Sequence, residues 1–343
     1  MKRRPPDDRD TLVEAKKTRL GVGPGAPELE DEVPLVGKVV GGYLVEEEIG
    51  AGAMGTVYRA SHLDTNRKVA LKSLHAHHLS EATTVERFRR EARLASRLGH
   101  PHIGGVIELV QAEDGRYLIA LELVEGEPLS SIMTMPLAPE RVMLITGQLL
   151  RGLEHAHAMG LIHRDLKPDN VLVEWRNGRD HARIVDFGIA IVRDGSEDSI
   201  ERLTAKGQIV GTPIYMAPEH ARGDAIDHRA DLYSLGVMVY EMISGVVPFH
   251  GRPLDVLTAK LKRDPPQFAD RVPDLIVEPI LERFCRKLMA RERSQRFDNA
   301  RHALHVLKLL ETEPAAAGAA LGIMDVEKAL SIVSLPGRPD KPE

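Results

Sequence analysis

The sequence has one cysteine, Cys285, in 343 residues. No intrachain disulfide can form, which removes the cross-linked secreted scaffolds and suits a reducing compartment. Cys285 lies in LERFCRKLMA, a helix-like pattern, and reads as a small buried apolar residue rather than a reactive thiol. Long apolar runs are lacking too. Nothing reaches the ~18 residues that a membrane span needs. The nearest stretch, AAAGAALGIM (315–324), is followed by Asp325, Glu327 and Lys328. The N-terminus, MKRRPPDDRD, has no apolar run behind it and so does not read as a secretory signal. Charge of one sign is also lacking. With 46 Lys and Arg against 51 Asp and Glu the net charge is -5, so no basic field recommends nucleic acid as a partner. These absences lead us to expect a soluble, cytoplasmic protein with no membrane span and no nucleic-acid partner.

What is present is an ordinary globular composition, 43% hydrophobic and 28% charged, in a chain long enough for two lobes. Residues 1–35 mix KRR, PPDD, GVGPGAP and ELEDE, and are expected to form a disordered tail. From 36 to 124, short β-prone runs such as YLVEEEIG, GTVYRASH and YLIALELVEG alternate with turn residues. One helical pattern, over 80–98, interrupts them. From 125 to 312 the chain turns helical. PERVMLITGQLLRGLEHAHAMG carries Val142, Ile145, Leu149, Leu153 and Ala156 on one face, and DLYSLGVMVYEMISG reads as a buried helix. Residues 313–343 are expected to be a flexible tail with one short helix at DVEKALSIVSL.

Chemistry concentrates in a few stretches. GAGAMGTV (50–57) spaces Gly50, Gly52 and Gly55 as G-x-G-x-x-G and continues as a strand. That context favours a hairpin that lays bare backbone over a polyphosphate, rather than a dinucleotide-binding turn into a helix. Lys72, in VALK, is a lysine within an apolar strand, and such a charge needs a partner. Glu91, on the helix at 80–98, is the expected one. HRDLKPDN (163–170) and VDFG (185–188) place Asn170 and Asp186 as oxygen ligands suited to Mg²⁺. Asp165 is then left to accept a hydroxyl proton, and Lys167 to neutralise charge on a phosphoryl group in transit.

These stretches, with GTPIYMAPE (211–219) and DLYSLG (231–236), occur in the order and at the spacings of the Hanks-type serine/threonine protein kinases. Over residues 36–312 the chain resembles that family, most closely its bacterial branch. The resemblance implies an α+β, bilobal fold: a small β-rich N-lobe (36–124) with one regulatory helix, and a larger α-helical C-lobe (125–312). It implies ATP as phosphoryl donor, Mg²⁺ or alternatively Mn²⁺ as metal, and Ser or Thr hydroxyls of proteins as acceptors. Gly50, Gly52 and Gly55 would cover ATP, with Ile49 beside them. Val57, Ala70 and Leu172 would sandwich the adenine, and Glu122-Leu123-Val124 would form the hinge behind the gatekeeper Leu121. Lys72, held by Glu91, would contact the α- and β-phosphates; Asn170 and Asp186 would hold the metal; Asp165 would be the base, and Lys167 would contact the γ-phosphate. Asp231 would anchor the catalytic loop, and Glu219 would pair with Arg296.

The retained Lys72, Asp165 and Asp186 favour an active enzyme over a silent scaffold, and the GTPIYMAPE platform argues against a small-molecule kinase. Lys167 and Thr212 favour Ser/Thr over Tyr as acceptor. Arg164, beside Asp165, and the hydroxyl-rich segment after DFG point to activation by phosphate, with Thr204 as the expected site and transient self-association as its route. Two positions depart from the family pattern. Gly104 and Gly105 in HPHIGGVIELV are expected to loosen the packing behind the regulatory helix. The crowded histidines, His75, His77, His78, His155 and His157, read as exposed or structural.

Overall fold

The computed structural model describes residues 35–52, 55–74, 82–187 and 213–326. From Val36 onward they belong to one compact unit, and the unit Met1–Leu35 contributes only Leu35. The expected N-terminal tail, Leu35 excepted, therefore lies outside the described residues.

An antiparallel sheet of order β1-β2-β3-β4-β6-β5 builds the first lobe. Its strands are β1 (Val39–Val40), β2 (Tyr43–Gly52), β3 (Gly55–His62), β4 (Lys68–Leu74), β5 (Val106–Gln111) and β6 (Tyr117–Glu122). The alternating β-branched and aromatic residues read from the sequence account for these pairings. Helix α1 (Ala82–Ala95) packs on β5 and buries Ala92 and Ala95, two of the positions that its periodicity selects.

The second lobe opens with β7 (Glu127–Pro128), α2 (Leu129–Ile132) and α3 (Pro139–Ala158). Pro at the first position of α3 starts the helix without wasting a donor, and its stripe Val142, Ile145, Leu149, Leu153 and Ala156 is buried as the spacing predicts. A short 3-10 turn at Pro168–Asn170 leads into the hairpin β8 (Val171–Arg176) and β9 (Arg179–Ile184). Asn177 and Gly178 close that hairpin with positive φ at both turn positions, the twist that a two-residue hairpin loop favours. Then come α4 (Pro218–Arg222), α5 (Arg229–Ser244), α6 (Pro253–Lys262), α7 (Phe268–Arg271), α8 (Pro279–Leu288), α9 (Ala300–Thr312) and α10 (Pro314–Ala320). Helix α5 is buried along nearly its whole length and forms the axis of the lobe. Cys285 is fully buried between α8 and α5, its Sγ against the carbonyl of Gly236.

Two expectations differ from what is found. Where a flexible tail is expected from 313, Pro314–Ala320 forms a helix that buries Ala317 and is followed by the buried Leu321. Small residues permit this close approach: a Cβ on Gly318 would meet Val326 at 2.9 Å. The second concerns Gly104 and Gly105, which tighten the structure where looseness is expected. Gly104 N donates to Ile184 O at 2.7 Å, and Glu122 N donates to Gly105 O at 2.8 Å. A Cβ on Gly104 would sit 3.0 Å from Val185 Cγ1. The missing side chains let this loop lie flat against the strand that leads into VDFG.

Candidate active site

The site forms where the two lobes face each other. In the sheet register Val57 stands opposite Lys72, Gly50 opposite Val57, and Ala70 opposite Leu121. Directly opposed residues, and residues two apart on a strand, share a face. Gly50, Val57, Ala70, Lys72 and Leu121 therefore share one face of the sheet. Gly52 pairs with Gly55 at the hairpin tip, and the two residues between them lie outside the described residues. Ile49 is exposed beside this hairpin; Val124 is buried at the end of the connection to the second lobe, and Leu172 is half-buried on β8.

The Lys72 side chain is 7% exposed, and its Nζ lies 2.7 Å from Asp186 Oδ2. The Glu91 side chain lies outside the described residues. Asp186 reaches Lys72 with a backbone φ of 66°, a left-handed conformation that is uncommon for a residue with a side chain. Strain of this kind concentrates where a side chain must be aimed.

The loop His163–Asn170 is held from beneath. Asp231, fully buried at the start of α5, accepts from His163 N through Oδ2 and from Arg164 N through Oδ1, each at 2.9 Å. His157 Nε2 donates to Oδ2 at 2.8 Å. Burial pushes the Asp231 carboxyl up, but the imidazoles of His157 and His163 and the His163 N–H outweigh it and hold the group below the usual range. Arg164 also adopts a left-handed φ, 65°. His163 Nε2 donates to Val185 O at 2.9 Å, and its ring meets Phe187 edge-on with centroids 4.7 Å apart. His163 thus ties the loop to the DFG stretch.

Above this base the polar groups converge. Lys167 Nζ lies 3.0 Å from Asp165 Oδ2. Asn170 Nδ2 donates to Asp165 O at 2.7 Å, which fixes the orientation of the amide and leaves Oδ1 as an oxygen ligand. Asn170 O accepts from Val185 N at 2.9 Å, one residue before Asp186. A carboxylate and an amide oxygen suit a hard divalent cation. Together these groups can orient a hydroxyl, accept its proton and neutralise a phosphate.

Glu122 is placed at the connection between the lobes, but its side chain turns away from the shared face of the sheet. Arg183 binds the carboxylate through both terminal guanidinium nitrogens, with Nη1 to Oε1 at 2.9 Å, and its Nη2 also donates to Ile103 O. Arg183 holds the Glu122 carboxyl below its ordinary range. Sequence reasoning missed Arg183; the available signal was an arginine between Ala182 and Ile184, in the apolar end of β9 that leads into VDFG. Glu219 and Arg296 form a two-pronged ion pair, at 2.6 and 2.7 Å, that is almost wholly buried. Gly188, Thr204 and Thr212 lie outside the described residues.

Residues 43–307 match the protein kinase domain family. The chain belongs to this family. The kinase domain is 43% identical over 271 residues to serine/threonine-protein kinase pkn3 of Myxococcus xanthus, which covers 78% of this chain and 49% of the relative. It is 35% identical over 274 residues to PknD of Mycobacterium tuberculosis, covering 79% and 40%. The crystal structure of the Mycobacterium tuberculosis PknI kinase domain superposes with a TM-score of 0.63 at 28% identity, over 81% of this chain and 99% of that one. The bacterial Hanks-type branch and the bilobal kinase fold follow from these matches. The chain spans about half, or less, of the length of the curated relatives it matches. Among the described residues no helix is long and apolar enough to cross a membrane.

Proposed function

We propose that the chain is an ATP-dependent protein kinase that phosphorylates Ser or Thr hydroxyls of proteins. The observation that carries this reading is the meeting of two polar sets, Lys72 with Asp186 and Asp165 with Lys167 and Asn170, joined by the hydrogen bond from Val185 N to Asn170 O. In it, Asp165 accepts the proton of the acceptor hydroxyl as its oxygen attacks the γ-phosphorus and ADP departs. Lys167 neutralises the transferring group, and Lys72 positions the α- and β-phosphates beneath Gly50, Gly52 and Gly55. Asn170 and Asp186 would hold a divalent cation, Mg²⁺ by preference, which would supply positive charge against the phosphates. At the hinge, Glu122 would offer its backbone rather than its side chain to the adenine, because Arg183 occupies the carboxylate. Val57, Ala70 and Leu172 supply the apolar walls. Lys167, two residues after Asp165, supports Ser/Thr over Tyr.

Incubation with labelled ATP and a lysate of the source cell, followed by phosphosite mapping, tests this reading. Labelled Ser and Thr sites that vanish with Asp165→Asn are expected; equal labelling by the variant would remove Asp165 from its role. Activation is part of the same proposal. Phosphate on Thr204 would give Arg164 and its neighbours a doubly charged acceptor and order the segment after DFG. Mass spectrometry before and after phosphatase treatment, with Thr204→Ala assayed in parallel, tests it. Full activity of the dephosphorylated Thr204→Ala protein would favour the acidic residues Glu197, Asp198 and Glu201 in place of a phosphate.

A further inference from the structure

Lys260 is a buried cation that the phosphoryl chemistry does not use. It sits in the last turn of α6 and is 1% exposed. Its Nζ donates to Ile214 O and, at 2.8 Å, to Met216 O. It also lies 5.0 Å from the centroid of the Tyr233 ring, against which the Arg296 guanidinium packs at 4.9 Å. Among the described residues no carboxylate forms an ion pair with it. Two carbonyls and an aromatic face therefore compensate its burial. Burial, and after it the charge of Arg296, push the amine well below the usual lysine range.

The carbonyl between those two is held as well. Tyr215 O accepts from Ser234 Oγ, on α5, at 2.9 Å. The Tyr215 hydroxyl donates to Glu241 Oε2 at 2.6 Å. Residues 214–216 belong to no helix and no strand. Backbone carbonyls outside regular structure need partners, and here three consecutive ones take theirs from side chains of α5 and α6. The segment belongs to GTPIYMAPE, just ahead of the Glu219–Arg296 pair, and presents the half-buried side chains of Ile214 and Met216.

We propose that Lys260 is a positioning residue for the acceptor peptide: with Ser234 it fixes the backbone of Ile214–Met216, and so shapes the apolar surface that selects the residue beside the phosphorylated Ser or Thr. This rests on the kinase reading and on the peptide platform assigned to GTPIYMAPE. Lys260 acts through those carbonyls and touches no reacting atom.

Lys260→Met, similar in length and lacking a donor, is the test, made in the full chain. The probe is the peptide that the wild-type protein phosphorylates fastest from a positional-scanning Ser/Thr library. The peptide KM is expected to rise about fivefold to tenfold, a tenfold step corresponding to ~1.4 kcal/mol. The KM for ATP should stay within about twofold, since Lys260 is remote from the nucleotide face. Preference at the position beside the acceptor should flatten. Ser234→Ala should shift the peptide KM in the same direction by a smaller factor. A folded Lys260→Met protein with unchanged peptide KM overturns the proposal, and so does a parallel rise in both KM values, which marks a merely structural role. If Lys260→Met does not fold, Ser234→Ala decides: a raised peptide KM with constant ATP KM supports the clamp, and an unchanged one overturns it. A wild-type protein that labels no peptide at all counts against the kinase reading itself, and the proposal falls with it.

Discussion

Lys72 and Asp186 lie 114 residues apart in sequence and meet at 2.7 Å. One is fixed by the register of β4 against β3 and β6, the other by a left-handed turn after β9. The pair joins a buried cation on the sheet of the first lobe to the carboxylate of the VDFG stretch in the second. A lysine whose side chain is 7% exposed is tolerated because this carboxylate compensates it.

Lys72→Met should lower phosphoryl transfer by more than about a hundredfold, the scale of losing one preorganised charge contact. The fold should survive, since methionine fills similar volume and Asp186, a quarter exposed, can still reach water. Single-turnover transfer and circular dichroism of the variant check this. A variant with near wild-type transfer would place phosphate positioning elsewhere.

Asp186→Asn tests the other half of the pair. A ligand that binds the native state raises its apparent stability by mass action. ATP with Mg²⁺ should raise the wild-type Tm more than ATP alone. The variant should lose the Mg²⁺-dependent part and keep the rest, because asparagine retains an oxygen but no charge. Thermal melts with ATP, with and without Mg²⁺, read this directly; an unchanged increment would move the metal to other ligands.

The Glu219–Arg296 pair makes a stability prediction. Both side chains are buried, and Arg296 also donates to the carbonyls of Ala290 and Arg229. Removing one member of such a pair leaves an uncompensated buried charge, at a cost of about 3–5 kcal/mol. Urea unfolding of Arg296→Met should show that loss. Arg301→Met, which breaks the exposed pair with Glu154, should cost under ~1 kcal/mol. Equal losses from the two variants would refute the argument.

The parts of the site that share a local pattern were legible in the sequence. HRDLKPDN, VDFG and the glycine spacing announce themselves because their chemistry needs those residue types at fixed offsets. Asp231 and the Glu219–Arg296 pair were expected through the family resemblance, and the hydrogen bonds place them as expected. What stayed hidden depends on contacts between distant segments. The Gly104–Gly105 stretch reads as slack in one dimension, yet it is the closest approach of the loop to Ile184 and Val185. Glu122 reads as a hinge residue, but nothing local reveals that Arg183, 61 residues on, takes its carboxylate. Lys260 looks like any basic residue near a helix end until α6 is packed beneath Ile214 and Met216. Helix α10 escaped notice because Ala and Gly carry little pattern, although they pack closely.

The last prediction concerns a cluster of histidines around the loop ahead of β5. His102 is buried in the loop ahead of β5, and its Nδ1 donates to Ala182 O at 2.9 Å. Its ring lies 4.8 Å from that of His181 and 5.5 Å from that of His100, which in turn stacks on His155. Burial lowers its pKa to about 4; the Ala182 hydrogen bond opposes the shift, and His181, His100 and Arg151 reinforce it. An unfolded histidine titrates near ~6.5. Above that pH neither state binds the proton, and the native state keeps its full stability. As pH falls from about 6.5 towards 4, the unfolded chain takes up a proton that native His102 refuses, and stability declines by up to about 3 kcal/mol. His100 is shifted in the same direction, also by burial first, and adds to the slope. In His102→Asn the amide nitrogen stands where Nδ1 stood, so the bond to Ala182 O survives while the titration is lost. Urea unfolding at pH 7 and pH 5 should then show a smaller difference for the variant than for wild type, by about 2 kcal/mol. An identical pH slope in the two proteins would mean that native His102 accepts its proton as readily as the unfolded chain does.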